Sequence, residues 1–259
     1  MRIATWNVNS LNARLPRVED WLATRQPEVL CMQETKLADA AFPMLAFETL
    51  GYEVAHYGNG RWNGVAIASR VGLDDVTVGF GPDVEDPYAD DCRLVAATCN
   101  GVRVVSVYVP NGREVATEFY DRKLVWFERL AEWVARHFTP DDRLAILGDW
   151  NVAPEDRDVW SPDAFVGSTH VTPEERAALG RLRDWGLIDA FRLVNDDEKQ
   201  FTYWDYRGGA FHKGEGMRID LAYLTPALAP LVREVVMDRD ARKGTKPSDH
   251  APVTVTLDL

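Results

Sequence analysis

The sequence predicts a layered α/β sandwich, in which two β-sheets pack face to face and helices cover the outside. Three observations predict it. Short apolar, β-rich runs alternate with helical patterns, the helical patterns are apolar on one side, and polar clusters sit where the apolar runs end. Strands are expected at Ile3–Val8, Val29–Gln33, Gly64–Ser69, Leu94–Thr98, Val102–Val109, Leu144–Leu147, Ile219–Leu224 and Pro252–Leu257. A first helix is expected from Pro16 to Thr24, with Val18, Trp21 and Leu22 on one side. A long one runs from Val115 to His137, with a stripe of Tyr120, Leu124, Phe127, Leu130, Val134 and Phe138. A third opens on Thr172-Pro173-Glu174-Glu175, a capping box with proline at the first helical position, and stops at Gly186.

The composition sets bounds. The length fits one large domain or two small ones and is taken as one domain over residues 1–259, and 46% hydrophobic residues can bury a substantial core. No stretch approaches the roughly 20 apolar residues of a membrane span, which argues against a membrane partner. The N-terminal residues lack signal-peptide anatomy. Cys31, Cys92 and Cys99 are an odd number, and two of them lie in apolar runs. Buried free thiols in a reducing compartment follow, so the expected location is the cytoplasm.

Chemistry gathers at strand ends. Asn7 and Asn9 follow Ile3–Trp6, Glu34 follows Val29–Gln33, Tyr108 and Asn111 follow Val102–Val107, and Asp149 and Asn151 follow Leu144–Leu147. Arg218 and Asp220 open the seventh, and Ser248-Asp249-His250 precedes the last. If the sixth strand continues through Gly148-Asp149-Trp150-Asn151, alternation puts Asp149 and Asn151 on one face, roughly 7 Å apart. Trp150 then faces the core. A bland account exists for each cluster, since Asn at a strand end is a common turn residue. It weakens because every cluster is drawn from carboxylate, amide, imidazole and phenol groups at the same kind of position.

The ordered motifs Trp6-Asn7, Gln33-Glu34-Thr35-Lys36, Tyr108-Val109-Pro110-Asn111, Gly148-Asp149-x-Asn151, Arg218-Ile219-Asp220 and Ser248-Asp249-His250 resemble the exonuclease III family of abasic-site endonucleases. That family belongs to the endonuclease/exonuclease/phosphatase superfamily. The resemblance implies a four-layer sandwich of two mixed sheets, deoxyribonuclease I-like, with the site at the top of the sheets. It implies cleavage 5′ to an abasic site in double-stranded DNA, dependent on Mg²⁺ with Mn²⁺ able to substitute. Activity on blocked 3′ ends (3′→5′ exonuclease, 3′-phosphodiesterase and 3′-phosphatase) is also implied. By the resemblance, Glu34 is the principal metal ligand, with Asn7 and Asp249 beside it and Asp149, Asn151 and His250 within reach. Asp149 handles the attacking water or a second metal, and Asn151 donates to the phosphate. Asp220 orients His250, which serves as base or as a charged clamp, and Tyr108 touches the phosphate.

Phe201-Thr202-Tyr203-Trp204-Asp205-Tyr206-Arg207 reads either as a core strand or, through the resemblance, as part of a pocket for an extruded abasic sugar. Tyr203, Met217 and Ile219 are the expected walls, with Trp204 in the same aromatic segment; Asn111 and Arg113 are expected to reach DNA. Lys36, Arg61, Lys213 and Lys246 are candidates for phosphate contacts. A net charge of −12 disfavours tight non-specific DNA binding and favours a site where a metal meets phosphate. A phosphatase or phosphodiesterase acting on a small-molecule or lipid phosphate is the alternative, and a non-cutting binding protein is a third reading. A monomer is expected, since grasping an asymmetric DNA needs no second subunit.

Overall fold

The computed structural model describes residues 1–259. Twelve strands form: β1 Arg2–Asn7, β2 Val29–Gln33, β3 Glu53–Tyr57, β4 Val65–Ser69, β5 Asp74–Val78, β6 Leu94–Cys99, β7 Val102–Tyr108, β8 Leu144–Asp149, β9 Ile188–Asp189, β10 Asp220–Leu224, β11 Val232–Met237 and β12 Val253–Leu257. Six α-helices join them: α1 Leu11–Arg25, α2 Met44–Thr49, α3 Glu118–His137, α4 Pro173–Trp185, α5 Ala190–Val194 and α6 Ala210–Lys213. The strands make two six-stranded sheets, ordered β11-β12-β1-β2-β4-β3 and β5-β6-β7-β8-β10-β9. Each contains one parallel pair, β1 with β2 and β7 with β8, and is otherwise antiparallel.

Alternation along the central strands supplies three cores. Ile3, Val29, Cys31 and Ile67 of one sheet meet Val95, Ala97, Val104 and Leu147 of the other, and this joins the sheets. Their neighbours Ala4, Trp6, Leu30 and Met32 point the other way, onto Val18, Trp21 and Leu22 of α1 and Phe47 of α2. Val105, Val107, Leu144 and Ile146 point onto Trp126, Phe127 and Leu130 of α3 and Leu179 and Leu182 of α4. The result is the expected four-layer sandwich. No helix is long and apolar enough to cross a membrane.

The eight expected strands are all present, with ends shifted by one or two residues. Four further strands were not expected. β3, β5, β9 and β11 lie at the sheet edges, and β5 is exposed throughout. α1 starts at Leu11 and carries Pro16 inside. Its first turn is held from outside, because Ser10 N–H donates to Glu34 O at 2.7 Å and Leu11 N–H to Thr35 O at 3.0 Å. α3 starts at Glu118, three residues later than expected. α4 has its predicted capping box, with the Thr172 hydroxyl and Glu175 carboxylate exchanging bonds with each other's backbone N–H.

Topology explains why the polar clusters converge. β1, β2, β7 and β8 end at one rim, while β4, β6, β10 and β12 begin there. Within the second sheet the register pairs Tyr108 with Asp149 and Asp149 with Asp220. That register depends on Gly148. A Cβ there would lie 1.9 Å from the Val107 carbonyl oxygen. Gly148→Ala should therefore destabilise the fold by about 3 kcal/mol or more. Urea unfolding checks this, and an unchanged midpoint would contradict it.

Candidate active site

Asn7 is the bridge between the two sheets. It is fully buried at the end of β1, and its Nδ2 donates to Glu34 Oε1 at 2.8 Å and to Asp149 Oδ2 at 2.9 Å. Its Oδ1 accepts from the Asn9 N–H at 2.9 Å. Glu34 adopts a left-handed backbone, φ 53°, which turns its side chain back over the rim. Its other oxygen pairs with the Lys36 ammonium at 2.8 Å. Burial resists ionisation of Glu34, but Lys36 and Asn7 hold its carboxyl below the usual range.

Asp149 is almost fully buried. Burial pushes its pKa up to about 7; His250 pulls the other way, while Asp220 and Glu34 reinforce the rise. Across from it, His250 Nδ1 meets Asp220 Oδ2 at 2.8 Å, and His250 Nε2 lies 3.8 Å from Asp149 Oδ2. Burial alone would lower the imidazole pKa. Asp220 and Asp149 outweigh it and push the value up to about 10, so the ring is charged at neutral pH. Both ring nitrogens then carry protons, and Nε2–H points toward a space too wide for a direct hydrogen bond to Asp149. Glu34, Asp149 and His250 place ligand-type atoms within 4.8 Å of one another. An imidazolium has no free lone pair, so the charged ring acts there as a donor and the cation-binding groups are the oxygens.

The expected strand extension beyond Asp149 does not form. Asn151 takes a left-handed backbone, φ 50°, and its N–H donates to Asp149 Oδ1 at 3.0 Å. Its side chain therefore leaves the strand face and donates to Val109 O at 2.8 Å, while its Oδ1 accepts from Asn111 Nδ2 at 3.1 Å. Trp150 is fully buried, as expected, and donates to Leu221 O. Tyr108 is buried beside Glu34, and burial together with that carboxylate raises its phenol pKa well above normal, so it is a hydrogen-bond donor. Asp249 is half-buried, and its Oδ1 accepts from Asn9 Nδ2 at 3.0 Å. It stands beside the Glu34–Asp149–His250 group rather than in it.

Two hollows flank this centre. One, about 370 Å³, includes Glu34, Lys36, Asn63, Tyr108, Asn111 and Arg113 in its walls. Trp62, Asp91, Arg93 and Arg122 also line it, and Arg93 lies over the Tyr108 ring at 4.8 Å. The other, about 410 Å³, includes Tyr203 and Met217, joined by Trp160, Phe165 and His170. Tyr203 lies against His250, with ring centres 4.8 Å apart, so the chain of contacts from Glu34 through Asn7, Asp149 and His250 leads from one hollow to the other.

Two placements differ from expectation. Trp204 is 1% exposed in a small core with Phe201, Ala210 and Ala251, and Phe211 packs edge-on against it, so it does not line the hollow. Ile219 is buried with Ala153, Val159 and Met217 and supports the hollow from beneath. Arg218 is buried, bonded to Asp158 through two nitrogens and to Asp189 at 2.8 Å, and anchors the start of β10. Sequence reasoning missed Arg93, Trp160, Phe165, His170 and Lys123. Only Lys123 left a readable signal, a charge on the apolar stripe of α3.

Two sheets whose facing rims gather carboxylates, a charged imidazole and amides define a hydrolase-type site built for an anionic substrate. The chain belongs to the Endonuclease/Exonuclease/phosphatase family, whose model matches residues 4–250. It is 33% identical to exodeoxyribonuclease III of Haemophilus influenzae over 98% of both chains. Among solved structures it resembles an AP endonuclease from Archaeoglobus fulgidus, with 37% identity and a TM-score of 0.96 over 100% of both chains. It also resembles a Neisseria 3′ phosphatase, NExo, bound to a product DNA hairpin, with 39% identity and a TM-score of 0.93 over 100% of both chains.

The charge on His250 depends on Asp220. Without that carboxylate, Asp149 and Asp249 alone oppose burial, and the ring should lose its proton earlier. Imidazole NMR should show His250 protonated until about pH 10 in the unaltered protein, and titrating well below that in Asp220→Asn. Equal titration in both would refute the assignment.

Proposed function

We propose that the protein is a metal-dependent DNA repair nuclease that cuts the phosphodiester 5′ to abasic sites and processes blocked 3′ ends. The observation that carries this reading is the 3.8 Å space between Asp149 Oδ2 and the charged His250 Nε2. An acceptor and a cationic donor side by side at this distance suit a water held by the carboxylate next to a phosphate oxygen held by the imidazolium. The names of the relatives, an exodeoxyribonuclease III, an AP endonuclease and a 3′ phosphatase, support DNA phosphate as the substrate.

The division of labour follows from the donors and acceptors. Asp149 orients the water and takes its proton; its pKa of about 7 suits a base at neutral pH. His250, held by Asp220, grips the phosphate through Nε2–H. The free hydrogens of Asn151 Nδ2 and the Tyr108 phenol add neutral donors. A divalent cation fits the oxygen-rich group, where Glu34 would hold it with Asp249 or Asn7 beside it. Mg²⁺ matches these hard ligands, with Mn²⁺ as substitute, and it supplies neutralisation of charge on the phosphate. The hollow of Tyr203 and Met217 receives the sugar at the lesion, and the hollow of Asn63 and Arg113 receives the neighbouring backbone. Three buried free thiols suit the cytoplasm, and a monomer suffices for this grip.

The test uses duplexes carrying a single tetrahydrofuran abasic analogue or a 3′-phosphate at a nick, with Mg²⁺ or with EDTA. Metal-dependent incision or 3′-phosphate removal is expected. Asp149→Asn and His250→Ala should each lose over ~100-fold in turnover while keeping their circular dichroism and melting temperature. Hydrolysis of small phosphates alone, with both duplexes left intact, would overturn the proposal.

A further inference from the structure

A buried ion pair lies behind the site, outside the groups assigned above. Lys123 of α3 and Glu175 of α4 are both 0% exposed, and Lys123 Nζ meets Glu175 Oε1 at 2.5 Å. The same ammonium donates to Asn151 O at 2.6 Å and to Asn111 O at 3.2 Å. Its three protons thus serve Glu175 and two backbone carbonyls of turns at the rim, with Thr169 Oγ1 a longer fourth contact at 3.4 Å. We propose that Lys123 is a positioning residue for this active site: its ammonium ties the Asn111 turn to the Asn151 turn and sets the separation of their side-chain amides. The inference rests on the reading above, in which the Asn151 amide serves the phosphate.

Burying a lysine and a glutamate costs desolvation that a hydrophobic pair would not, so stability alone is a weak reason for this arrangement. The surroundings point to position. Asn111 Nδ2 and Asn151 Oδ1 meet at 3.1 Å, directly in front of the two anchored carbonyls. Asn151 and Arg113 both adopt left-handed backbones, φ 50° and 51°, which cost energy and need external restraint. Between Asn111 and Arg113, Gly112 has φ 85°, and a Cβ there would lie 2.8 Å from Thr169 Oγ1 and 3.0 Å from Lys123 Cδ. The turn therefore packs directly on the lysine stem. Glu175 is held in turn by Thr169 Oγ1 at 2.6 Å and by the Thr172 hydroxyl and N–H at 2.9 and 3.1 Å. His170 Nδ1 lies 2.6 Å from the same Asn151 carbonyl. A carbonyl only accepts, so this nitrogen carries a proton, and the carbonyl is gripped from two sides.

Two variants test the inference against the unaltered protein on the duplex substrates. Lys123→Met with Glu175→Gln removes the charge pair and the three-way anchor together. It should lower kcat on the order of 100-fold with KM within about threefold, since misplacing a group by about 1 Å costs that much. Lys123→Arg keeps the charge and the link to Glu175, but its planar fork cannot serve all three directions. It should fold normally and lose about tenfold in kcat, again at unchanged KM. Wild-type kcat in the folded double variant overturns the inference, and if only Lys123→Arg folds, wild-type kcat there does so. The side-chain amide NMR signals of Asn111 and Asn151 give a readout independent of activity. They should shift in both variants, and unmoved signals overturn the inference. An unaltered protein inactive on both duplexes would instead refute the DNA reading, leaving the amide signals to judge the anchor.

Discussion

Three carboxylates, Glu34, Asp149 and Asp220, lie together at the meeting rim of two sheets, and the structure around them depends on how their charge is answered. Water is largely excluded, so donors must come from the protein. Asn7 supplies two, one to Glu34 and one to Asp149, and in doing so bonds the first sheet to the second. His250 supplies a charged one to Asp220, and Lys36 another to Glu34. The donors fall short for Asp149, whose pKa rises to about 7, and Asp220 Oδ1 finds no partner. A cation beside Glu34 would relieve the remaining repulsion. The deficit is thus a physical reason for the site to bind metal and phosphate together, since neither charge is well matched alone.

The two sheets make this concentration possible because each holds a single parallel pair. Parallel neighbours β1 and β2, and β7 and β8, release their C-terminal residues at the same rim. Each side then needs only short turns to place Glu34, Asn111 and Asn151. Antiparallel partners bring Asp220 and His250 to that rim at their own beginnings. The face-to-face core fixes the distance between the two rims. The Asn7–Asp149 bond therefore registers the packing of the entire sandwich, and a shift between the sheets would be felt first in the site.

Much of this was legible in the sequence for a physical reason. Val29–Gln33 and Leu144–Leu147 are buried on both faces, so they read as unbroken apolar runs whose ends are conspicuous. The residues after them, Glu34, Asp149 and Asn151, stand out by contrast. Edge strands lack this signature. Asp74–Val78 faces solvent throughout, and Val232–Met237 is only partly covered, so neither carries a strong pattern. The proline rule misplaced the start of α1, because tertiary bonds from Ser10 and Leu11 hold a first turn that local preference does not predict. The path of Asn151 was hidden for the same reason. Its left-handed turn is set by Asp149, Lys123 and His170, which lie far from one another along the chain. Trp204 misled in the other direction: an aromatic segment reads the same whether a ring faces a pocket or a core.

The net charge of −12 illustrates why global composition is a poor guide to such a site. Much of the basic complement near the rim has a local task. Arg218 is buried against Asp158 and Asp189, and Lys123 against Glu175. Lys36 is paired with Glu34, and Arg93 with Asp91. Arg113, in the hollow beside Glu34, has no carboxylate partner, while acidic groups dominate the centre. On the proposed reading, docking would rely on His250, on Arg113, on neutral amide and phenol donors, and on a metal ion held by the oxygen-rich group. On that reading, attraction would be strongest where imidazolium, amides and cation act together on one phosphate, and this would favour geometry over bulk electrostatics in choosing what is cut.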